Sequence, residues 1–237
     1  MTGTNLIQWP KFALEGIVIV VSILLAFAID AWWDERTARD AEIEQLVRVG
    51  QELRANTERL QQKREVLVSS IAGTKEFISW MGPEPAEISQ DAYHQQWSKF
   101  FSIGMYSVLR GAADDYLSTG STTGTRPGAI RSALWDWHSA ADDLERQYAL
   151  LRAAHARIND YGEDLVPVLH DVAATGFAGD DIASKFPYDY NALLADPGLE
   201  SRLATYLIRL SFVVSQADAL LARQAELSAM IDAATAR

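Results

Sequence analysis

The amino-acid sequence predicts an all-α fold: an N-terminal transmembrane helix that continues into a bundle of about four long helices. Three observations predict it. A fourteen-residue stretch from Gly16 to Ile29, "GIVIVVSILLAFAI", carries no charge. Two later stretches place apolar residues at alternating steps of three and four over many turns, as a helix with one buried face requires. Pro- and Gly-rich clusters fall between those stretches, at 81–89 and 118–128. The expected domains are a short tail (1–11), an anchor (12–33) and an extramembrane bundle (34–237).

Ten of the fourteen residues in the uncharged stretch are Ile, Leu, Val or Phe. On an insertion scale they contribute about −3 to −6 kcal/mol. Extended to Phe12–Trp33, the segment makes a helix of about 33 Å, which matches a hydrocarbon core of roughly 30 Å. Trp9 and Lys11 precede it and Trp32 and Trp33 close it, the residue types that sit at headgroup level. A cleaved secretory signal is the rival reading, with Lys11 as its basic region, Gly16–Leu25 as its apolar region and cleavage after Ala28. Glu15 stands where such a signal carries positive charge. Beyond Ala28 the chain runs into Asp30 and two Trp without a turn, and the sequence begins at Met1 with the apolar run in place. A retained anchor is therefore expected.

Glu15 and Asp30 lie about 22 Å apart along a helix, just inside the two hydrocarbon boundaries. They either reach the headgroups through local thinning or pair with a cation on a neighbouring subunit, since ionisable groups at membrane depth have partners. Ser22 between them is a candidate for close helix contact. Orientation follows from charge. Lys11 stands in a tail without acids before Glu15, whereas residues 34–48 hold three Arg against five acids. The expectation is a single-pass protein of a bacterial inner membrane with its bulk in the periplasm.

From Ile43 the three-four spacing runs through Leu46, Gly50, Leu53, Thr57, Leu60, Arg64, Leu67, Ile71, Thr74, Ile78 and Met81. Its 3.5-residue repeat predicts a supercoiled seam, and the polar members make that seam part of a bundle rather than a strict zipper. No breaker separates Trp33 from Ile43, so anchor and first helix form one rod. "MGPEPAEIS" ends it. Two shorter helices are predicted over Gln90–Phe101 and Met105–Leu117, then a polar connector at 118–128. The next seam runs from Ile130 through Leu134, Trp137, Ala141, Leu144, Tyr148, Leu151, His155, Ile158, Gly162, Leu165 and Leu169 to Val172, with Pro167 disrupting its end. A last helix from near Leu199 presents Leu203, Leu207, Leu210, Val214, Ala217, Leu221 and Ile231. Arg209 argues against "YLIRLSFVV" as a second span.

A net charge of −11 argues against a nucleic-acid partner, because phosphate binding needs a basic face. There is no Cys, hence no disulfide framework or Cys-based metal site. The four His show no i,i+4 pairing and no H-E-x-x-H. The acidic doublets Asp114-Asp115, Asp142-Asp143 and Asp180-Asp181 read as solvated faces or a helix cap. No nucleophile elbow or S-x-x-K is present. Neither catalytic residues, a cofactor site nor a metal site is expected. Trp135 lies off the seam as a contact-surface candidate. Trp137, Tyr148 and His155 on the seam are the natural lining of a ligand site within the bundle.

The stretch "EGIVIVVSILLAFAIDAWWDER" resembles the anchor of a widespread uncharacterised bacterial family of single-span proteins, whose pattern reads E-I-V-x-V-V-x-G-I-L-I-A-L-x-I-N-x-W-x-E-x-R. Glu15, Ile29, Trp32, Asp34 and Arg36 fall on that pattern, with Ser22 for its Gly and Asp30 for its Asn. "DDYLSTG" (114–120) and "IRSALWDW" (130–137) are similar to a second, looser feature of the family. The resemblance implies an anchored helical domain and no activity. Two functions are expected on these grounds. One is a non-enzymatic protein that associates with itself or with other membrane subunits, an energy-transducing complex among them. The other is a membrane-tethered small-molecule binding or sensory module.

Overall fold

The computed structural model describes residues 9–100, 103–119, 125–167, 169–170 and 184–236, and among them every regular element is helical. Side chains are described from Glu15 onward, except at 98–100 and 125–127. Helix α1 (Trp9–Trp80) is the expected rod, 72 residues without interruption, about 108 Å long at 1.5 Å per residue. Then come α2 (Gln90–Phe100), α3 (Gly111–Ser118), α4 (Thr125–Leu165), α5 (Tyr190–Leu194) and α6 (Pro197–Thr235). Beyond its apolar N-terminal part α1 runs up, α2 and α3 come down beside it, α4 runs up and α6 down.

The side-chain pairs set this register. Descending α6 lays Tyr206 by Ser70, Asp218 on Arg64, Gln224 on Thr57 and Asp232 near Arg54. Along the other flank of α6, His155 and Tyr161 of α4 meet Tyr206 and Asp196. The fold is thus an up-down-up-down bundle of four pillars. Three pillars are long helices and the second is broken.

That break corrects the expected helix over Met105–Leu117. Only Gly111–Ser118 is helical, and 105–110 forms no regular element. Gly104 turns the chain there with φ +54°, the left-handed region that favours glycine. The irregular backbone is held by side chains in place of its own helical bonds. Asn56 of α1 donates to Leu109 O at 2.8 Å and accepts from Leu109 N at 2.9 Å. Glu145 of α4 accepts from Val108 N at 3.0 Å. Glu52 accepts from Ala112 N and Ala113 N, so α1 supplies the cap that Arg110 does not give α3. At the other end of α3, Arg131 of α4 donates to Tyr116 O and Leu117 O.

The core follows the predicted seams with one shift. On α1, Leu46, Gly50, Leu53, Leu60, Leu67 and Thr74 are buried. Arg64 is half-exposed and meets Asp218 across the seam. On α4, Ile130, Leu134, Trp137, Ala141, Leu144, Tyr148, Leu151 and Ile158 are buried, and the helix ends at Leu165, two residues before Pro167. On α6 the centre of the seam is Leu203, Tyr206, Leu210, Val213, Ala217, Leu220 and Leu227. Leu207, Val214 and Leu221 flank it, half-buried, because α6 faces two neighbours and needs a wider apolar stripe than a single seam. The polar start of α6 is tightly built. Asp196 caps Leu199 N and accepts the Tyr161 hydroxyl, and the Arg202 guanidinium lies 3.6 Å over the Tyr161 ring. A Cβ at Gly198 would stand 2.3 Å from that hydroxyl.

Candidate functional site

The exposed apolar part of α1 is the first candidate. It is the one helix among the described residues that is long and apolar enough to cross a membrane. Its large apolar side chains from Ile17 to Trp33 are each between 50% and 65% exposed, so nothing in the bundle covers them. The helix is apolar around most of its circumference, but its polar residues are not scattered. At about 100° per residue, Glu15, Ser22, Ala26, Asp30 and Trp33 fall within about 80° of arc. Along that face the Ser22 hydroxyl donates to Val18 O at 2.8 Å. This bond satisfies the hydroxyl within the helix and keeps the surface small between Ser22 and Ala26. At the upper boundary the Trp32 and Trp33 rings lie 6.3 Å apart, and the Arg36 guanidinium stands 5.7 Å from the centre of the Trp32 ring. The side chains of Trp9 and Lys11 lie outside the described ones.

The three residues expected to line a ligand site in the bundle are not brought together. Trp137 and Tyr148 are buried in the packed core, eleven residues apart on α4. His155 is half-buried and opens instead onto a groove of about 600 Å³ beside Arg152, Asn159 and Met105. Trp135 is 61% exposed, in keeping with its place off the seam. Asp180 and Asp181 lie outside the described residues. The other two doublets belong to ion pairs: Asp142 with Arg110, Asp143 with Arg146, Asp114 with His138 at 3.4 Å and Asp115 with Arg48 at 3.7 Å. Burial pushes the His138 imidazole below its usual range, with Asp114 opposing it. Among the described residues no three His, Asp or Glu gather where a metal ion could be held.

Around the break the chain carries features that sequence patterning missed. Tyr106 and Tyr148 stack with centroids 5.8 Å apart, and both hydroxyls are buried without a hydrogen-bond partner. Burial pushes the Tyr106 phenol up to about 12, Arg59 pulling the other way, and raises Tyr148 as well. The signal available in the sequence was the bracket Gly104–Gly111 around "MYSVLR", since two glycines seven residues apart weaken a helix at both ends.

A scan against protein-family models, a search of curated proteins and a search of solved structures each found no match. The resemblance of the anchor therefore rests on its own residues.

Proposed function

We propose that this protein is a non-enzymatic, single-pass membrane protein that acts by association, as an accessory or assembly subunit of a larger membrane complex. The observation that carries this reading is the one-sided anchor: two acids, a serine and an alanine share one face of an otherwise apolar span. A carboxylate at membrane depth is costly alone and is stabilised by a cation or donor on a neighbouring helix. A second copy lying parallel would set acid against acid at both depths. The favoured partner is therefore a different membrane helix that presents basic or donor side chains near both boundaries. The rigid continuity of α1 supports the same reading, because docking of the span orients the whole bundle. The charge asymmetry across the span supports a cytoplasmic tail and a periplasmic bundle in a bacterial inner membrane.

Extraction from native membranes in a mild detergent, followed by identification of stoichiometric companions, tests this. Defined membrane subunits should co-purify, and Glu15→Leu/Asp30→Leu should reduce the complex on native gels to the size of the free protein. Recovery of the protein alone as a homo-oligomer, or a complex unchanged by the double substitution, would sink the accessory reading.

A further inference from the structure

Where the second pillar departs from helix, the wall of the bundle opens into a groove of about 280 Å³ between α1 and the 105–106 segment. Arg59, Gln62, Lys63, Val66, Met105 and Tyr106 line it, and among the described residues no carboxylate does. This stands out in a chain of net charge −11. Arg59 and Lys63 are one helical turn apart on the same face, a like-charge spacing that costs a helix a few tenths of a kcal/mol. Four other cations of the bundle, Arg48, Arg54, Arg64 and Arg110, each meet an acid on a neighbouring element. No carboxylate lies within ion-pair distance of Arg59 or Lys63 among the described residues. The floor is Tyr106, 8% exposed, with its unpartnered hydroxyl. Val66 and the 73%-exposed Met105 supply an apolar side. Beyond Met105 the neighbouring groove adds Arg152 and again no acid. Two cations, an amide and an apolar wall form the set for an anionic head carrying a short apolar body.

We propose that this groove binds a small soluble anion, a carboxylate or a phosphate ester, with Arg59 and Lys63 holding the charged head and Val66 and Met105 the apolar part. Arg59 lies about 39 Å along α1 beyond Trp33, out of reach of lipid headgroups in the membrane that holds the anchor. The ligand therefore comes from solution. This site is independent of the association reading, since it lies on the bundle and not on the span.

The test is isothermal titration of the full-length protein in detergent with sodium phosphate and with sodium hexanoate, each at ionic strength matched with sodium chloride. Saturable binding in the millimolar range or tighter is expected for at least one probe. Phosphate alone would assign a phosphate ester, and hexanoate alone a carboxylate. Arg59→Gln/Lys63→Gln should weaken binding by at least about tenfold, as loss of charge-assisted contacts predicts. Lys75→Gln/Arg223→Gln, which removes the same charge from exposed positions elsewhere, should leave it unchanged. If the double groove variant does not fold, Arg59→Gln alone carries the comparison. Absence of saturable binding by either probe overturns the proposal, as does equal binding in the groove and control variants.

Discussion

Residues 17–33 and residues 46–77 belong to one helix, yet they solve opposite problems. In the lower part every large apolar side chain is at least half exposed; in the upper part a single stripe, Leu46 to Phe77, is almost wholly buried. Backbone geometry does not differ between them. What differs is what covers each. Around residues 17–33, apolar residues cover nearly the whole circumference, and no other described part of the chain covers them. Above Asp34 charged residues stand on the solvent side of the helix, and its apolar stripe packs on α2, α3 and α6. A stripe marks a helix that packs on one side, and an exposed apolar girdle marks one long and apolar enough to cross a membrane.

This contrast can be broken from either end. The largest effect is expected in the bundle. Trp137→Ala empties the largest fully buried side chain and should cost about 3–5 kcal/mol. Chemical denaturation in detergent would show the loss, while membrane retention stays as in the native chain. Leu24→Arg reverses the pattern. It should cost about 3 kcal/mol of insertion and release the protein on alkaline extraction, with the melting temperature of the bundle unchanged. A variant that remained in the membrane would show that the span is not what holds it.

Smaller effects sharpen the role of the broken pillar. Asn56→Ala strips Leu109 of both its backbone partners and should cost about 1–3 kcal/mol, with faster amide exchange at Leu109. Smallest is the effect of pH. His138 has its folded value lowered from 6.5 by burial. The unfolded chain therefore takes up the proton first, and stability is lost as pH falls below about 6.5. Melting followed from pH 7.5 to 5.5 should show a decline that His138→Gln reduces. The remainder is expected from His94, which burial shifts in the same direction.

How far the sequence could be read depended on whether a residue's role was local. The seam of α4 was legible from Ile130 to Ile158, because burial on a helix is periodic and Trp137, Tyr148 and Ile158 kept the period; His155 is half-buried and Leu165 and Leu169 are exposed where the helix ends. The irregular segment 105–110 was not. "MYSVL" carries apolar residues at spacings a helix also tolerates, and what holds it out of a helix is Asn56 and Glu145, 53 and 37 residues from the groups they bind. The groove of Arg59 and Lys63 was hidden for the same reason, since its floor is Tyr106. The ligand lining expected of Trp137, Tyr148 and His155 shared a seam, and a seam is what a bundle fills first.

By itself, then, the sequence determined the helical class, the continuous rod of α1 and the face that Glu15, Ser22, Ala26 and Asp30 share, because these depend on composition and on a period of 3.6 residues. Only the tertiary structure decided that the second pillar breaks, which cations meet an acid and where the wall of the bundle opens. Those outcomes depend on hydrogen bonds and charges brought together from distant parts of the chain, and no local pattern encodes them.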